Sequence, residues 1–365
     1  MNKFLKLKAF KIGAVLSLSV LLFGCRKDEA PKKEFIPTIK GLYLLNEGNW
    51  GSNKASLDYL DLESGIYQND IFSSANPTAT LGLGDVGNDI QLYGSKIYIV
   101  VNSSNKVEVL DAKSAKRIGV IPVGNCRYVT FYKNKAYISS YDGYVHVIDT
   151  ANVSAVSKKI RVGNEPEEMA VVGSKLYVAN SGGYMLPPTN DYERTVSVVD
   201  LNTETEIKKI DVGINLNRLK KDAYGDIYVT SRGDWSSIEQ RLYVIDTKTD
   251  QVKKHFEIPV SNFSISGDYA YLFSYSYLTG ESNYLKINVK DESVVPGSFI
   301  NAADISKIHM PYGIAIEPVS GDIYITDAKD YVSPGNLNVF NKDGVFKKSY
   351  TTGDIPAHMV FVTDN

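Results

Sequence analysis

The segment VGNEPEEMAVVGSKLYVAN, residues 162–180, decides the fold of this chain. It contains a glycine exit, a polar turn with a proline, an apolar strand at Met169–Val172, a turn, and a second strand at Leu176–Ala179. The same parts return roughly every 40 to 55 residues, the period of a propeller or a repeat array. Matching first strands begin near Ile90, Val129, Met169, Leu219, Phe263, Ile314 and Met359. Matching second strands carry a tyrosine, at Tyr43, Tyr98, Tyr137, Tyr177, Tyr228, Tyr271 and Tyr324.

Each repeat continues with a third strand that is apolar at alternate positions and ends in Asp or Asn, as at Val196–Asp200 and Leu285–Asn288. A turn rich in Asp, Asn and Thr follows, and such side chains bond the local backbone and favour a hairpin. A fourth strand, such as Lys208–Val212, completes the unit. The sequence therefore predicts an all-β fold, a seven-bladed β-propeller of four-stranded antiparallel blades covering residues 39–365.

The two ends of the repeat region complement each other. The repeats start at a second strand, Leu42–Leu45, and finish with an unpartnered first strand, Met359–Val362. Pairing these two strands would close the ring and remove an exposed sheet edge. One inner strand departs from the pattern, because Lys220 and Lys221 follow Leu219. We expect either an irregular strand there or a partner charge.

The amino terminus predicts export and lipid anchoring. Lysines precede an apolar run of about a dozen residues, too short to span a bilayer as a helix, so residues 1–24 are interpreted as a signal peptide. The run ends Leu22-Phe23-Gly24-Cys25, which resembles the lipobox of bacterial lipoproteins, where Cys25 would be acylated. Lys27-Asp28-Glu29 resembles the surface-export signal of Bacteroides-type lipoproteins. Residues 25–38 then predict an extended tether.

Composition excludes several classes of function. The formal net charge is −2 and no basic patch is evident, so nucleic acid is a poor candidate partner. If Cys25 carries lipid, Cys126 is left alone and no disulfide can form within the chain. Cys126 precedes an apolar strand, which favours a buried structural thiol. Motifs for a nucleophile elbow, a zincin, a P-loop or a redox pair are absent from the sequence.

Two sets of residues should meet at one face of the ring. In a four-stranded blade, the connection into the first strand and the loop between the second and third strands open on the same side. The predicted ligand-binding residues come from these places, with a solvated rim and rings packed over the blade tops as alternative interpretations. They are Trp50, Asp89, Tyr128, Tyr141, Glu168, Tyr184, Arg218, Arg232, Trp235, Asn262, Tyr275, Tyr312 and His358.

The tandem pattern of VG-x-x-P, an apolar strand, LYVAN and VSVVD resembles the YncE-like, YVTN-type propellers of bacterial envelopes and covers Gly41 to Asn365. Together with the lipobox and aromatic loops, it looks most like the surface-exposed vitamin B12-capture lipoproteins of gut Bacteroides, the BtuG type. The resemblance implies capture of cobalamin or cobinamide and transfer to a TonB-dependent outer-membrane transporter. It implies no enzyme activity, no required cofactor and no metal.

Two other functions stay open. A surface adhesion or glycan-binding propeller would use the exposed tryptophans Trp50 and Trp235. A lactonase-like hydrolase would use Asp89, Glu168 and His358 with a metal, as propeller lactonases do. These residues are expected at the mouth of the central channel, on the face where the predicted ligand-binding residues meet. The sequence favours binding over catalysis.

Lipid anchoring is testable directly. The Cys25→Ala variant should appear in the soluble fraction, because acyl chains supply about 0.8 kcal/mol of membrane affinity per buried methylene. Replacing Lys27, Asp28 and Glu29 together by alanine should leave the protein membrane-bound but protected from protease added to intact cells. A triple variant that stays fully accessible to protease would contradict the export signal.

Overall fold

A computed structural model describes residues 38–182 and 192–363, and these form seven four-stranded antiparallel sheets arranged as blades in a ring. The predicted seven-bladed propeller is therefore confirmed. The signal peptide, Cys25, the tether up to residue 37, and Tyr184 lie outside the described residues. Within the described residues, no helix is long and apolar enough to cross a membrane.

Blades are numbered by their inner strands in chain order, and blade 7 takes strands from both ends of the repeat region. The first three strands are β1 (Ile39–Asn46), β2 (Ser56–Asp61) and β3 (Tyr67–Gln68). Blade 1 contains β4 (Gly87–Tyr93), β5 (Lys96–Val101), β6 (Lys106–Asp111) and β7 (Arg117–Pro122). Blade 2 contains β8 (Cys126–Tyr132), β9 (Lys135–Ser140), β10 (Tyr144–Asp149) and β11 (Lys158–Arg161). Blade 3 contains β12 (Pro166–Val172), β13 (Lys175–Asn180), β14 (Thr195–Asp200) and β15 (Thr205–Asp211).

The second half of the ring repeats this arrangement. Blade 4 contains β16 (Leu216–Lys221), β17 (Asp226–Ser231), β18 (Arg241–Asp246) and β19 (Gln251–Phe256). Blade 5 contains β20 (Asn262–Ser266), β21 (Tyr269–Tyr275), β22 (Ser282–Asn288) and β23 (Ser293–Val295). Blade 6 contains β24 (Pro311–Ile316), β25 (Ile323–Asp327), β26 (Pro334–Phe340) and β27 (Phe346–Asp354), and β28 is Pro356–Thr363. A short α1 (Ile71–Ala75) and one 3₁₀ turn (Ile305–Lys307) are the helical elements of the described residues.

The ring closes as the sequence predicts. β28 is the inner strand of blade 7 and pairs antiparallel with β1, with Leu42 opposite Phe361 and Leu44 opposite Met359. Leu42, Leu44 and Leu45 are fully buried. The last strand thus completes the blade that the first strand begins.

The turn between the third and fourth strands follows one rule in every blade of the described chain. The Asp or Asn that ends or directly follows the third strand accepts a hydrogen bond from a backbone N–H two or three residues later. Asp246, for example, accepts from Lys248 N at 2.8 Å. This local bond explains why these residue types recur at the end of the third strand.

In blades 7 and 3 the repeated tyrosine of the second strand forms a hydrogen bond to the neighbouring blade. The Tyr43 hydroxyl donates to Ala112 O of blade 1 at 2.8 Å, and Tyr177 of blade 3 donates to Asp250 Oδ1 of blade 4 at 2.5 Å. Both rings are buried. The aromatic body fills the wedge between two sheets while the polar tip reaches the next blade's turn. The LYVAN pattern is therefore a packing motif.

Inner strands carry a bulge where they approach the mouth. The register against the second strand shifts between Gly87 and Asp89 in blade 1, and correspondingly in blades 2, 3, 4, 6 and 7. In three blades a hydroxyl on the second strand accepts from the N–H of a bulged residue, as Thr230 Oγ1 does from Arg218 N at 3.0 Å. A bulge turns an extra side chain toward the channel.

The unusual lysine of blade 4 has a partner charge. Lys220 Nζ lies 2.7 Å from Glu168 Oε1 of blade 3. Its strand also has the register shift that five other inner strands share, so the lysine does not mark a special irregularity.

Two tyrosines at matched positions test the packing motif. Tyr177→Phe should lower the free energy of unfolding by about 1 kcal/mol, because it removes a hydrogen bond between blades. Tyr98→Phe is the control, since the Tyr98 hydroxyl is buried without a partner among the described residues. Chemical denaturation should show almost no change for Tyr98→Phe. Equal losses in both variants would contradict a stabilising role for the inter-blade hydrogen bond.

Candidate ligand-binding site at the mouth of the channel

A cavity of about 300 Å³ opens where the bulged inner strands meet the loops between second and third strands. Its wall contains residues of the inner strands and of these loops, and six blades contribute to it. The start of an inner strand supplies Asn88, Arg127, Tyr128, Asn217, Arg218 and Tyr312, and the connecting loops supply Glu47, Arg232, Trp235, Tyr275 and Tyr277. The cavity is concave, carries several guanidinium groups and has aromatic walls.

A buried carboxylate organises the charge on one side of this cavity. The Glu167 side chain is fully buried, and its Oε2 accepts from Arg127 Nε at 3.0 Å. Its Oε1 accepts from Tyr141 Oη at 2.7 Å and lies 3.2 Å from Arg232 Nη2. Burial raises the pKa of Glu167, but Arg127 and Arg232 outweigh it, so the pKa lies below its ordinary value. Glu167 therefore stays ionised and holds two guanidinium groups in place.

Arg218 reaches the cavity from blade 4. Its Nη1 donates to Tyr128 Oη at 2.7 Å, and its guanidinium carbon lies 5.7 Å from the centre of the Tyr128 ring. Burial lowers the pKa of Arg218, but nearby Tyr128 and Glu168 outweigh that effect and raise it, so the side chain is cationic. Its Nε is buried without a partner among the described residues.

Tyrosine rings form a continuous arc on the other side. Tyr275 and Tyr277 meet edge to face with centroids 5.0 Å apart, and the Tyr277 and Tyr331 hydroxyls lie 2.7 Å apart. Tyr331 packs edge to face on Tyr312 at 5.7 Å. Burial and then Glu47 raise the pKa of Tyr312, whose hydroxyl donates to Glu47 Oε2 at 2.8 Å. Trp235 and Tyr277 project furthest, with 64% and 65% of their surfaces exposed.

A family model described as a domain of unknown function, DUF5074, matches residues 40–362. The chain belongs to the DUF5074 family. None of the curated proteins matches this sequence significantly.

Solved structures resemble this DUF5074 propeller in fold. A quinonprotein alcohol dehydrogenase-like protein from Bacteroides thetaiotaomicron superposes with a TM-score of 0.65 at 16% identity, covering 89% of this chain and 79% of that one. The periplasmic gluconolactonase of Pseudomonas aeruginosa gives 0.62 at 12% identity, covering 88% and 99%. A putative 6-phosphogluconolactonase from Bacteroides fragilis gives 0.61 at 12% identity, covering 88% and 98%. At these identities the likeness concerns the fold alone.

Six of the sequence-predicted site residues line the cavity of this DUF5074 propeller: Tyr128, Arg218, Arg232, Trp235, Tyr275 and Tyr312. Tyr141 and His358 lie just behind the wall, where Tyr141 bonds Glu167 and His358 Nε2 lies 3.3 Å from Glu47 Oε1. Trp50 is 84% exposed and is not part of the lining.

Three predicted residues join adjacent blades instead of lining the cavity. Asp89 Oδ2 accepts from Val129 N at 2.9 Å, and Glu168 Oε2 accepts from Leu219 N at 2.9 Å. Asn262 Nδ2 donates to Tyr312 O at 3.0 Å. Their polar groups stabilise the inner strands of the next blade.

Sequence reasoning missed several lining residues for one reason. Asn88, Arg127 and Asn217 each precede a predicted residue by one position. The bulge places both neighbours near the channel, whereas simple alternation sends one of them to the opposite face. Glu167, which precedes Glu168, was missed in the same way.

The metal hypothesis finds no support in the geometry. No group of three or more His, Cys, Asp or Glu side chains in residues 38–182 and 192–363 is placed to hold a metal ion. Asp89, Glu168 and His358 are instead each bonded to other partners.

The buried carboxylate makes a quantitative prediction. Glu167→Gln leaves Arg127 and Arg232 without their counter-charge, so the free energy of unfolding at pH 7 should fall by about 3 kcal/mol. Because the pKa of Glu167 is depressed, its contribution is complete above the ordinary glutamate value of 4.5 and is lost as the pH falls through the lower folded value. The difference between wild type and Glu167→Gln should therefore shrink in acid.

Asp268→Asn supplies the matched control for urea titrations at several pH values. Its carboxylate pairs with Lys290 at 2.9 Å, but both side chains are about half exposed. That variant should lose less than about 1 kcal/mol. A Glu167→Gln loss as small as the Asp268→Asn loss would contradict the central role of Glu167.

Proposed function

We propose that this DUF5074 propeller captures corrinoids at the mouth of its channel, as a lipid-anchored surface protein that passes them to a TonB-dependent outer-membrane transporter. The observation that carries the proposal is the pairing of an aromatic arc with fixed guanidinium donors around one cavity. A corrinoid is a wide, fairly rigid ring with an apolar edge and many amide arms. Aromatic walls suit the edge, and the arginine donors suit amide oxygens.

The dimensions support a surface-bound ligand. A volume of about 300 Å³ lies at the low end of the range for small-molecule sites. A corrinoid would therefore lie across the mouth, with one arm in the cavity and its ring against Trp235 and Tyr277. These side chains are already exposed and need little rearrangement to make contact.

A rigid ring limits the entropic cost of capture. The arginines are held by Glu167 and Tyr128, and the tyrosines hold one another, so few side chains must be ordered when a ligand binds. This preorganisation suits tight binding of a scarce nutrient. No covalent chemistry is required, so the ligand should be recovered unchanged.

Calorimetric titration with cyanocobalamin and cobinamide tests the proposal. We expect one ligand per chain, with Trp235→Ala and Tyr277→Ala each weakening binding by roughly 1–3 kcal/mol as anchor residues. Trp50→Ala is the matched control, because this exposed tryptophan lies outside the lining. A fluorescence titration with cyanocobalamin uses variants that keep one tryptophan. The ligand should quench the tryptophan fluorescence of Trp50→Phe, which keeps Trp235, and should not quench that of Trp235→Phe.

The outcomes separate the candidate functions. No heat at micromolar protein with either corrinoid would reject corrinoid capture. Binding of oligosaccharides that Trp235→Ala abolishes would support the glycan-binding alternative. Hydrolysis of an added lactone by the purified protein would support the hydrolase alternative.

A further inference from the structure

A second cavity, the rim groove, lies on the mouth side of blade 7 but outside the channel. Its volume is about 470 Å³. Its lining comes from the β1–β2 loop, the end of β27, α1 and the connection to blade 1, and consists of residues 53–56, Gly353, Asp354, Asp70, Ser73 and residues 80–82. Among the described residues, the rim groove and the mouth cavity have no lining residue in common. The two cavities are therefore separate.

The rim groove follows from the short outer strand of blade 7. β3 pairs with β2 only at Tyr59 and Leu60, whereas β15 of blade 3 pairs along β14 from Thr195 to Asp200. Residues 56–58 of β2, which are nearest the mouth, therefore have no fourth strand beside them in the described chain. After β3 the chain turns into α1, and the groove lies where a longer outer strand would run.

A buried carboxylate fixes two sides of the rim groove. Asp58 is fully buried, and its Oδ1 accepts a hydrogen bond from Asp70 N at 2.9 Å. Its Oδ2 accepts from Asn46 Nδ2 at 2.8 Å and from Gly353 N at 3.3 Å. Because Asp70 and Gly353 both line the groove, these hydrogen bonds hold its two sides together.

The β1–β2 loop is also held in place beside the groove. Asp85 Oδ2 accepts from Gly51 N at 2.8 Å, and Asn53 Nδ2 donates to Leu81 O at 2.8 Å. These bonds join the loop to the connection that enters blade 1. A ligand would thus meet preformed walls, which limits the entropic cost of binding.

The polar groups of the groove suit a ligand that carries hydroxyl groups. The hydroxyls of Ser73 and Thr80 have no hydrogen-bond partner among the described residues, and each can donate one hydrogen bond and accept two. Lys54 Nζ lies 2.9 Å from Asp354 Oδ2, so these two charges offset each other. The remaining carboxylate in the lining, Asp70, disfavours an anionic ligand and can accept hydrogen bonds from ligand hydroxyls.

Two exposed apolar side chains belong to the segments that form the groove. Leu81 lines it and is 76% exposed, and Trp50, three residues before Asn53 in the β1–β2 loop, is 84% exposed. Trp50 lies in a turn that the hydrogen bond from Ser52 N to Asn49 O closes at 3.0 Å. An exposed aromatic side chain on a fixed loop is typical of a binding anchor, and an indole ring packs well against the C–H face of a sugar.

We propose that the rim groove is a second binding site, for a neutral oligosaccharide. The hydroxyls of one sugar unit would bind in the groove, and the adjoining unit would pack against Trp50. A volume of about 470 Å³ is within the usual range for small-molecule sites. This site does not depend on corrinoid binding and stands or falls separately from it.

An array of neutral hexose and N-acetylhexosamine oligosaccharides supplies the probe, and the strongest hit is then titrated into the purified protein by calorimetry. We expect saturable binding of one oligosaccharide per chain. Trp50→Ala should weaken this binding about tenfold or more, because the variant loses the aromatic anchor. Ser73→Ala should weaken it about fivefold, because the variant loses one hydrogen bond to the ligand.

Two matched variants are the controls. Ser74 follows Ser73 in α1, but its hydroxyl donates to Asp70 O at 3.3 Å and it lies outside the groove lining, so Ser74→Ala should bind as wild type. Trp235→Ala removes the exposed tryptophan of the mouth cavity and should also bind the oligosaccharide as wild type. Thermal midpoints verify that each variant is folded, and cyanocobalamin titrations of the same variants report on the mouth cavity separately.

Three results would overturn the proposal. The first is no saturable binding of any neutral oligosaccharide on the array. The second is an affinity that neither Trp50→Ala nor Ser73→Ala changes. The third is a loss in Trp235→Ala as large as the loss in Trp50→Ala, because the sugar would then occupy the mouth cavity.

Discussion

The pairing of β28 with β1 is the constraint on which the rest of the structure depends. Each blade buries its faces only against two neighbours, so a ring with one gap would expose apolar surface on both sides of it. The hydrogen bonds that Asp89 and Glu168 accept from the next inner strand, and the hydrogen bonds of Tyr43 and Tyr177, all run from one blade to the next. The last strand, β28, pairs with the first strand, β1, and so joins the two ends of this series of contacts within blade 7.

Closure also fixes the geometry of the mouth. The channel wall consists of inner strands, and their bulges aim side chains from different blades at a common centre. Arg218 of blade 4 meets Tyr128 of blade 2, and Tyr312 of blade 6 meets Glu47 after β1. Such pairs are distant in sequence, so the site is a property of the whole ring. A rigid scaffold with function on its loops is the usual arrangement for such folds.

The sequence predicted the fold well because its signals are local and repeated. Alternation, the tyrosine of the second strand and the Asp or Asn of the third strand each have a short-range physical cause, and seven copies make the pattern unmistakable. The closure followed from counting strands at the two ends. Each of these inferences needed only neighbours along the chain.

The site was predicted less completely, since its details depend on contacts between blades. Period-two alternation does not reveal a bulge, so Arg127 and Glu167 were not among the predicted site residues. Nor does sequence show that Asp89 and Glu168 are already occupied by backbone N–H groups of the adjacent blade. Nor does the sequence show that the outer strand of blade 7, β3, has only two residues.

The direct pairing of Ile39 with Thr363 has a consequence for the topology of the chain. The entry and exit points of the ring are adjacent, so the order of blades in space is cyclic while their order in sequence is linear. Any exposed turn between strands, such as the one at Gly173, is then an equivalent place to begin the polypeptide. The packing of the seven blades therefore does not determine where in the ring the polypeptide must begin and end.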